Sequence, residues 1–131
     1  MAEGAWKSRF RPRWLMLTLL VAVVVLGLTH IPGQRIPRVL QVHYLDKAEH
    51  VTAYGLIAGF FLLSLKKPVC PAAPLIGLAM LAALGALDEA TQPLVNRIAS
   101  VSDYICDLIG VAIPGMVLLV GRLSRFFAAL R

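Results

Sequence analysis

The residues able to do chemistry lie in three short segments. The first reads Asp46-Lys47-Ala48-Glu49-His50-Val51-Thr52-Ala53-Tyr54. Helical spacing puts Asp46, His50 and Tyr54 on one stripe, with Lys47 reaching the same region. The second, Asp88-Glu89-Ala90-Thr91-Gln92-Pro93, sets Glu89 and Gln92 on one face at i, i+3. The third runs from Arg97 through Ser100, Asp103 and Asp107 to Gly110, with the last three sharing a face. An imidazole among carboxylates of different burial is what general acid–base work needs. The same carboxylates would suit a hard divalent cation. No H-E-x-x-H, G-x-S-x-G or phosphate-loop signature accompanies them.

Each group also has a purely structural reading. Ser100-x-x-Asp103 and Asp46-x-x-Glu49 have the form of capping boxes, and a carboxylate in a first turn gains about 0.3–1 kcal/mol from the helix dipole. Asp88, at the end of a helix, is expected to reach interfacial water. Asp107 resists such a reading. It falls one turn beyond Asp103, about 6 Å deeper at 1.5 Å per residue. An Asp at a membrane helix centre costs roughly 2.5–3.5 kcal/mol. It is therefore expected to face the bundle interior and to be either protonated or paired, with Arg97, Lys47 and His50 as the available partners.

The elements that position these segments are apolar. Of the 131 residues 59% are hydrophobic and 15% charged, with a net charge of +6 and a mean hydropathy of +0.78. Soluble domains carry about 25% charged residues, so the composition excludes that class, along with disordered and nucleic-acid-binding chains. Four apolar runs, about 14–31, 48–65, 71–89 and 100–121, approach the roughly 17–25 residues that span a bilayer. Proline-marked connections at Pro32, Pro37, Pro68, Pro71 and Pro93 separate them. The expected fold is all-α: one domain over 1–131, an integral membrane four-helix bundle of two transmembrane hairpins.

Nine of the 13 Lys/Arg (Lys7, Arg9, Arg11, Arg13, Lys66, Lys67, Arg122, Arg125 and Arg131) would lie on one side, which predicts cytoplasmic termini. The first run has no A-x-A-like cleavage site and reads as an uncleaved anchor. Cys70 and Cys106 fall at opposite ends of the bundle, too far apart for a disulfide. Trp6, Trp14, Phe126 and Phe127 read as inner-surface anchors. The third helix, rich in Gly and Ala, is expected to be the central packing partner. Pro114 predicts a kink, and Gly110 and Gly115 predict close helix contacts.

The three motifs, D-K-x-x-H-x-x-x-Y on Asp46, Lys47, His50 and Tyr54, E-x-x-Q on Glu89 and Gln92, and R-x-x-S-x-x-D on Arg97, Ser100 and Asp103 followed by position 107 and Gly110, together resemble the VanZ-like family of bacterial membrane proteins. The resemblance covers about residues 46–115. It departs at Asp107, where the family usually has Asn. The resemblance implies a multi-pass protein of the bacterial plasma membrane and a link to antibiotic resistance, the family's namesake being associated with low-level resistance to the glycopeptide teicoplanin. The biochemical activity of the family is not established.

Three function classes follow. In the first, an outward-facing polar cup formed by the three motifs binds an envelope lipid head group or a glycopeptide-type ligand. In the second, a small membrane enzyme acts on a lipid head group through His50 and the carboxylates. In the third, the cluster only locks the hairpins of an accessory subunit. Beyond the lipid bilayer no partner is required; nucleic acid is excluded and an oligomer is left open. No cofactor is expected, and a divalent metal is left open.

Overall fold

The computed structural model describes residues 10–32, 43–66 and 72–128, without the side chains at 43, 44, 122, 123 and 125–127. Trp6, Lys7, Arg9, Arg35, Pro37, Arg38, Lys67, Pro68, Cys70, Pro71 and Arg131 lie outside the described residues, as do the side chains of Arg122, Arg125, Phe126 and Phe127. The described chain is helical: α1 (Pro12–Thr29), α2 (His43–Ser64), α3 (Ala73–Thr91), a 3₁₀ turn (Gln92–Val95) and α4 (Val101–Ala128).

Local chemistry sets the boundaries. Proline falls in the first turn of both α1 and α3, where its missing N–H costs nothing and its fixed φ suits the helix. α1 accordingly starts at Pro12, before the apolar run does. Helix α2 begins upstream of the expected 48, because the polar stretch from His43 already winds as helix. The turn after α3 ends at Asn96, which adopts a left-handed φ of 57°, a conformation Asn tolerates better than most residues. Helix α4 continues through Pro114 to Ala128, past the expected 121.

Among the described residues, three stretches are long and apolar enough to cross a membrane: Pro12–Thr29, Ala73–Val95 and Val101–Gly121. Their large apolar side chains, among them Met16, Val23, Leu75, Met80 and Val117, are exposed on the outside of the bundle, as a lipid-facing surface requires. The expectation that all four runs qualify is therefore met by three. Helix α2 carries Asp46, Lys47, Glu49 and His50 in its first half and buries His50, Tyr54, Ile57, Ala58 and Ser64.

Helix α2, and not α3, occupies the centre: it makes its broadest contact with α4 and its next broadest with α1, while α3 packs mainly on α4. The reason lies in which faces are small. On α3, Ala79, Ala83, Ala86 and Ala90 are exposed, and the buried stripe is Pro74, Gly77, Gly85, Asp88 and Glu89. The closest backbone approach lies between α2 and α4. A Cβ on Gly110 would stand 2.5 Å from the Val51 carbonyl oxygen and 3.0 Å from the Gly55 nitrogen. One on Gly115 would meet Leu78 Cδ1 at 2.9 Å, and Gly77 lies against the Phe61 ring. At the other end the Arg11 N–H donates to the Ser64 carbonyl at 2.7 Å, and Trp14 stacks on Phe60 with ring centroids 5.8 Å apart. The start of α1 is thereby held beside the end of α2. Cys106 is a free, half-buried thiol.

Gly110→Ala is expected to lower the unfolding temperature of the detergent-solubilised protein, at a cost of about 1–3 kcal/mol from overpacking. Gly27→Ala, with nothing within 4 Å of the new methyl group, should leave it unchanged or raise it. Equal melting temperatures for the two variants would contradict the close α2–α4 approach.

Candidate functional site

His50 and Tyr54 sit one turn apart on the face of α2 that meets α4. The close approach at Gly110 brings Asp107 of α4 against them. His50 Nδ1 and Asp107 Oδ1 are 2.8 Å apart, and both side chains are buried. Glu89, from the last turn of α3, places Oε1 4.0 Å from the same His50 nitrogen. Two donors fix its carboxylate: the Gln92 amide donates to Oε1 at 3.0 Å and the Ser100 backbone N–H to Oε2 at 2.8 Å.

The second of these bonds replaces part of the expected capping box. In such a box the N3 side chain takes the N-cap N–H. Here Glu89 of another helix takes the Ser100 N–H, and Asp103 is free to turn elsewhere. The Ser100 carbonyl still accepts from the Asp103 and Tyr104 N–H groups and starts α4.

Asp103 accepts from Lys47 Nζ at 2.8 Å, and Lys47 also donates to Ser102 Oγ at 2.6 Å. The Ser102 hydroxyl lies 2.8 Å from that of Ser100. Arg97 Nη2 stands 3.9 Å from Asp46 Oδ1, while Nη1 donates to the Thr29 carbonyl at 3.0 Å. Both cations thus stay at the rim. Arg97 in particular serves the end of α1, whose last carbonyls lack intrahelical donors and favour a positive charge.

Asp88 departs furthest from expectation. It is 1% exposed, not solvated. Thr29 Oγ1 donates to its Oδ1 at 2.7 Å, and His30 Nδ1 lies 3.4 Å from the same oxygen. His30 also meets Thr91 Oγ1 through Nε2 at 3.0 Å and the Leu26 carbonyl through Nδ1 at 2.9 Å. Thr29 and His30 close the apolar run of α1, where only their position opposite the end of α3 gives them a role. The sequence carries one usable signal for this: two polar residues ending an otherwise apolar span require partners at that depth.

The three motifs therefore meet at one end of the bundle. His50, Glu89, Asp107, Gln92 and the Ser100 N–H form the centre, with Tyr54 buried beside it. Lys47, Asp103, Asp46 and Arg97 form the rim. Gly110 and Gly115 act in packing. The nitrogen of His50 and one oxygen each of Glu89 and Asp107 lie within 4.8 Å of one another, as do those of Asp46, His50 and Asp103. Among the described residues, three buried atoms have no partner in hydrogen-bonding geometry: Tyr54 OH, Asp88 Oδ2 and Asp107 Oδ2. A shallow, open groove of about 200 Å³ is lined by Ala86, Glu89, Ala99, Ser100, Val101 and Tyr104, on the side of α3 and α4. The cluster's chemistry suits a proton, a cation or a polar ligand group, and Glu89 also lines the groove.

Thr29→Val, which removes the hydroxyl that donates to Oδ1 of buried Asp88, is expected to destabilise the protein by about 1–3 kcal/mol. The exposed Thr52→Val should stay within about 0.5 kcal/mol of the parent in the same detergent melt; matching losses would dissolve the assigned role of Thr29. No family model, curated protein or solved structure matches the chain, so the VanZ-like resemblance rests on the motif residues alone.

Proposed function

We propose that the protein is a VanZ-like integral membrane protein of the bacterial plasma membrane that binds a polar group of an envelope component in the cluster of His50, Glu89 and Asp107. Its helices would form two transmembrane hairpins with both termini cytoplasmic, which sets the cluster at the outer face. The positive charge at the chain ends supports this orientation. A glycopeptide-type antibiotic is the drug-like counterpart of such a ligand.

One observation carries the reading: residues from all three motifs converge in one buried cluster whose polar atoms are not all paired, Asp107 Oδ2 among them having no hydrogen-bond partner. A cluster serving only to lock helices would be expected to satisfy them, since each unpaired buried group costs about 1–3 kcal/mol. The apolar groove that Glu89 helps to line supports an amphipathic ligand, with its polar end at the carboxylate and its apolar part along the groove. The 2.8 Å pairing of His50 with Asp107 also favours a second reading, a head-group enzyme whose imidazole is oriented by a carboxylate for general acid–base work.

A strain lacking the gene should differ from its parent in susceptibility to teicoplanin and other antibiotics that bind lipid head groups. The wild-type gene should restore the parental profile, and Glu89→Gln or His50→Gln, expressed to equal level, should not. Identical profiles for deletion and parent would overturn the envelope-ligand reading. Turnover of labelled envelope lipid by purified protein would decide for the enzyme. Periplasm-active reporter fusions after Asn96 should be active and fusions after Arg131 inactive; the reverse pattern would invert the topology.

A further inference from the structure

We infer that His50, Glu89 and Asp107 form a binding site for a first-row divalent cation such as Zn²⁺ or Mn²⁺. The donor atoms come from three helices: Nδ1 of His50 on α2, Oε1 of Glu89 on α3 and Oδ1 of Asp107 on α4. They lie within 4.8 Å of one another, and all three side chains are buried. Ligands bonded at about 2.1 Å to one ion stand roughly 3.4 Å apart in a tetrahedron, and in an octahedron roughly 3.0 Å apart when adjacent and roughly 4.2 Å apart when opposite. The two separations from His50 Nδ1, 2.8 Å to Asp107 and 4.0 Å to Glu89, fall close to the octahedral values. One imidazole and two carboxylates suit such ions by ligand type, and their two negative charges balance the ion.

A second observation points to a ligand independently of the spacing. Asp107 is 0% exposed, and its Oδ2 has no hydrogen-bond partner among the described residues. A buried carboxylate with one oxygen unpaired is costly; a cation held by Oδ1 would neutralise its charge, with Oδ2 left for a bidentate contact. The site also has the outer support that metal ligands usually show. Gln92 and the Ser100 N–H hold the Glu89 carboxylate from both oxygens.

The neighbouring trio of Asp46, His50 and Asp103 is the weaker candidate. Lys47 already lies 2.8 Å from Asp103, and Arg97 3.9 Å from Asp46, so the protein supplies its own cations there. No Lys or Arg among the described residues makes an ion pair with Glu89 or Asp107. Ion binding replaces the proton on His50 Nδ1, which leaves to solvent. It requires no envelope ligand, so it is measurable on the protein alone.

Full-length protein purified in detergent and stripped with chelator is titrated with Zn²⁺ and with Mn²⁺, and metal content is read after gel filtration. One equivalent per chain is expected. With Mn²⁺ bound, electron spin-echo modulation should show the ¹⁴N coupling of a single imidazole. Glu89→Gln and Asp107→Asn should each weaken binding at least about tenfold, and Gln92→Ala by about tenfold through loss of the supporting bond. Asp103→Asn should keep full binding. The inference is overturned if the wild type retains no ion, if retained Mn²⁺ lacks the nitrogen coupling, or if Asp103→Asn loses the ion while Asp107→Asn keeps it. The wild-type measurements stand even if a variant fails to fold. An antibiotic-susceptibility phenotype without bound metal would reject the ion and leave the ligand reading in place.

Discussion

A carboxyl group in the interior of an apolar bundle needs a partner at hydrogen-bonding distance, because neither water nor lipid can supply one. Asp107 meets that constraint through His50, and much of the bundle follows from it. For an Asp on α4 to reach a His on α2 at 2.8 Å, the two helices must approach closely just below the pair. Gly110, one turn from Asp107, allows this, since any side chain there would collide with the Val51 carbonyl and the Gly55 backbone. The same approach makes α2 the central helix despite its polar first half. Tyr54 then fills the layer beneath His50, and Gly85 on α3 leaves room for Tyr54 and Asp107 side by side.

The charges are sorted by depth. Lys47 and Arg97, with long flexible side chains, stay at the rim and pair with Asp103 and Asp46. Arg97 adds a tie between the segment before α4 and the end of α1 by donating to the Thr29 carbonyl. Glu89 and Asp88, adjacent in sequence, serve different sides of α3. Glu89 turns to His50 and the start of α4, and Asp88 to Thr29 and His30 of α1. All four helices are thereby joined at one end by side-chain polar bonds, while apolar contacts and glycine approaches serve the rest of their length.

Much of this was legible in the sequence for a physical reason: helical periodicity fixes which residues share a face. The stripe of Asp46, His50 and Tyr54, the pairing of Glu89 with Gln92 and the inward face of Asp103, Asp107 and Gly110 all follow from spacing, and the structure has each on a common side. Contacts between distant segments have no such signature. Thr29 and Asp88 are far apart in the chain, and nothing local in either says that they meet. Without that partner, Asp88 at a helix end reads as a solvated charge. The central helix was misjudged for a related reason. Small residues show where a close approach is allowed, but α3 turns its Ala79, Ala83 and Ala86 outward, and one glycine on α4 matters more than several alanines on α3.

Satisfaction of the polar groups falls from the rim inward. Asp103 has a lysine and a serine, and Glu89 has an amide and a backbone N–H. Asp88 has one threonine and a more distant histidine, and keeps one oxygen unpaired. Asp107, the least exposed of the four, has one oxygen on His50 and the other on nothing. Selection for stability alone would produce the opposite order, since the cost of an unpaired group rises as water is excluded. Replacing a buried ionic pair by apolar side chains is often neutral or stabilising, so a helix lock needs no carboxylate at the deepest position. The least satisfied carboxylate thus lies where burial is greatest, a placement that helix packing alone does not account for.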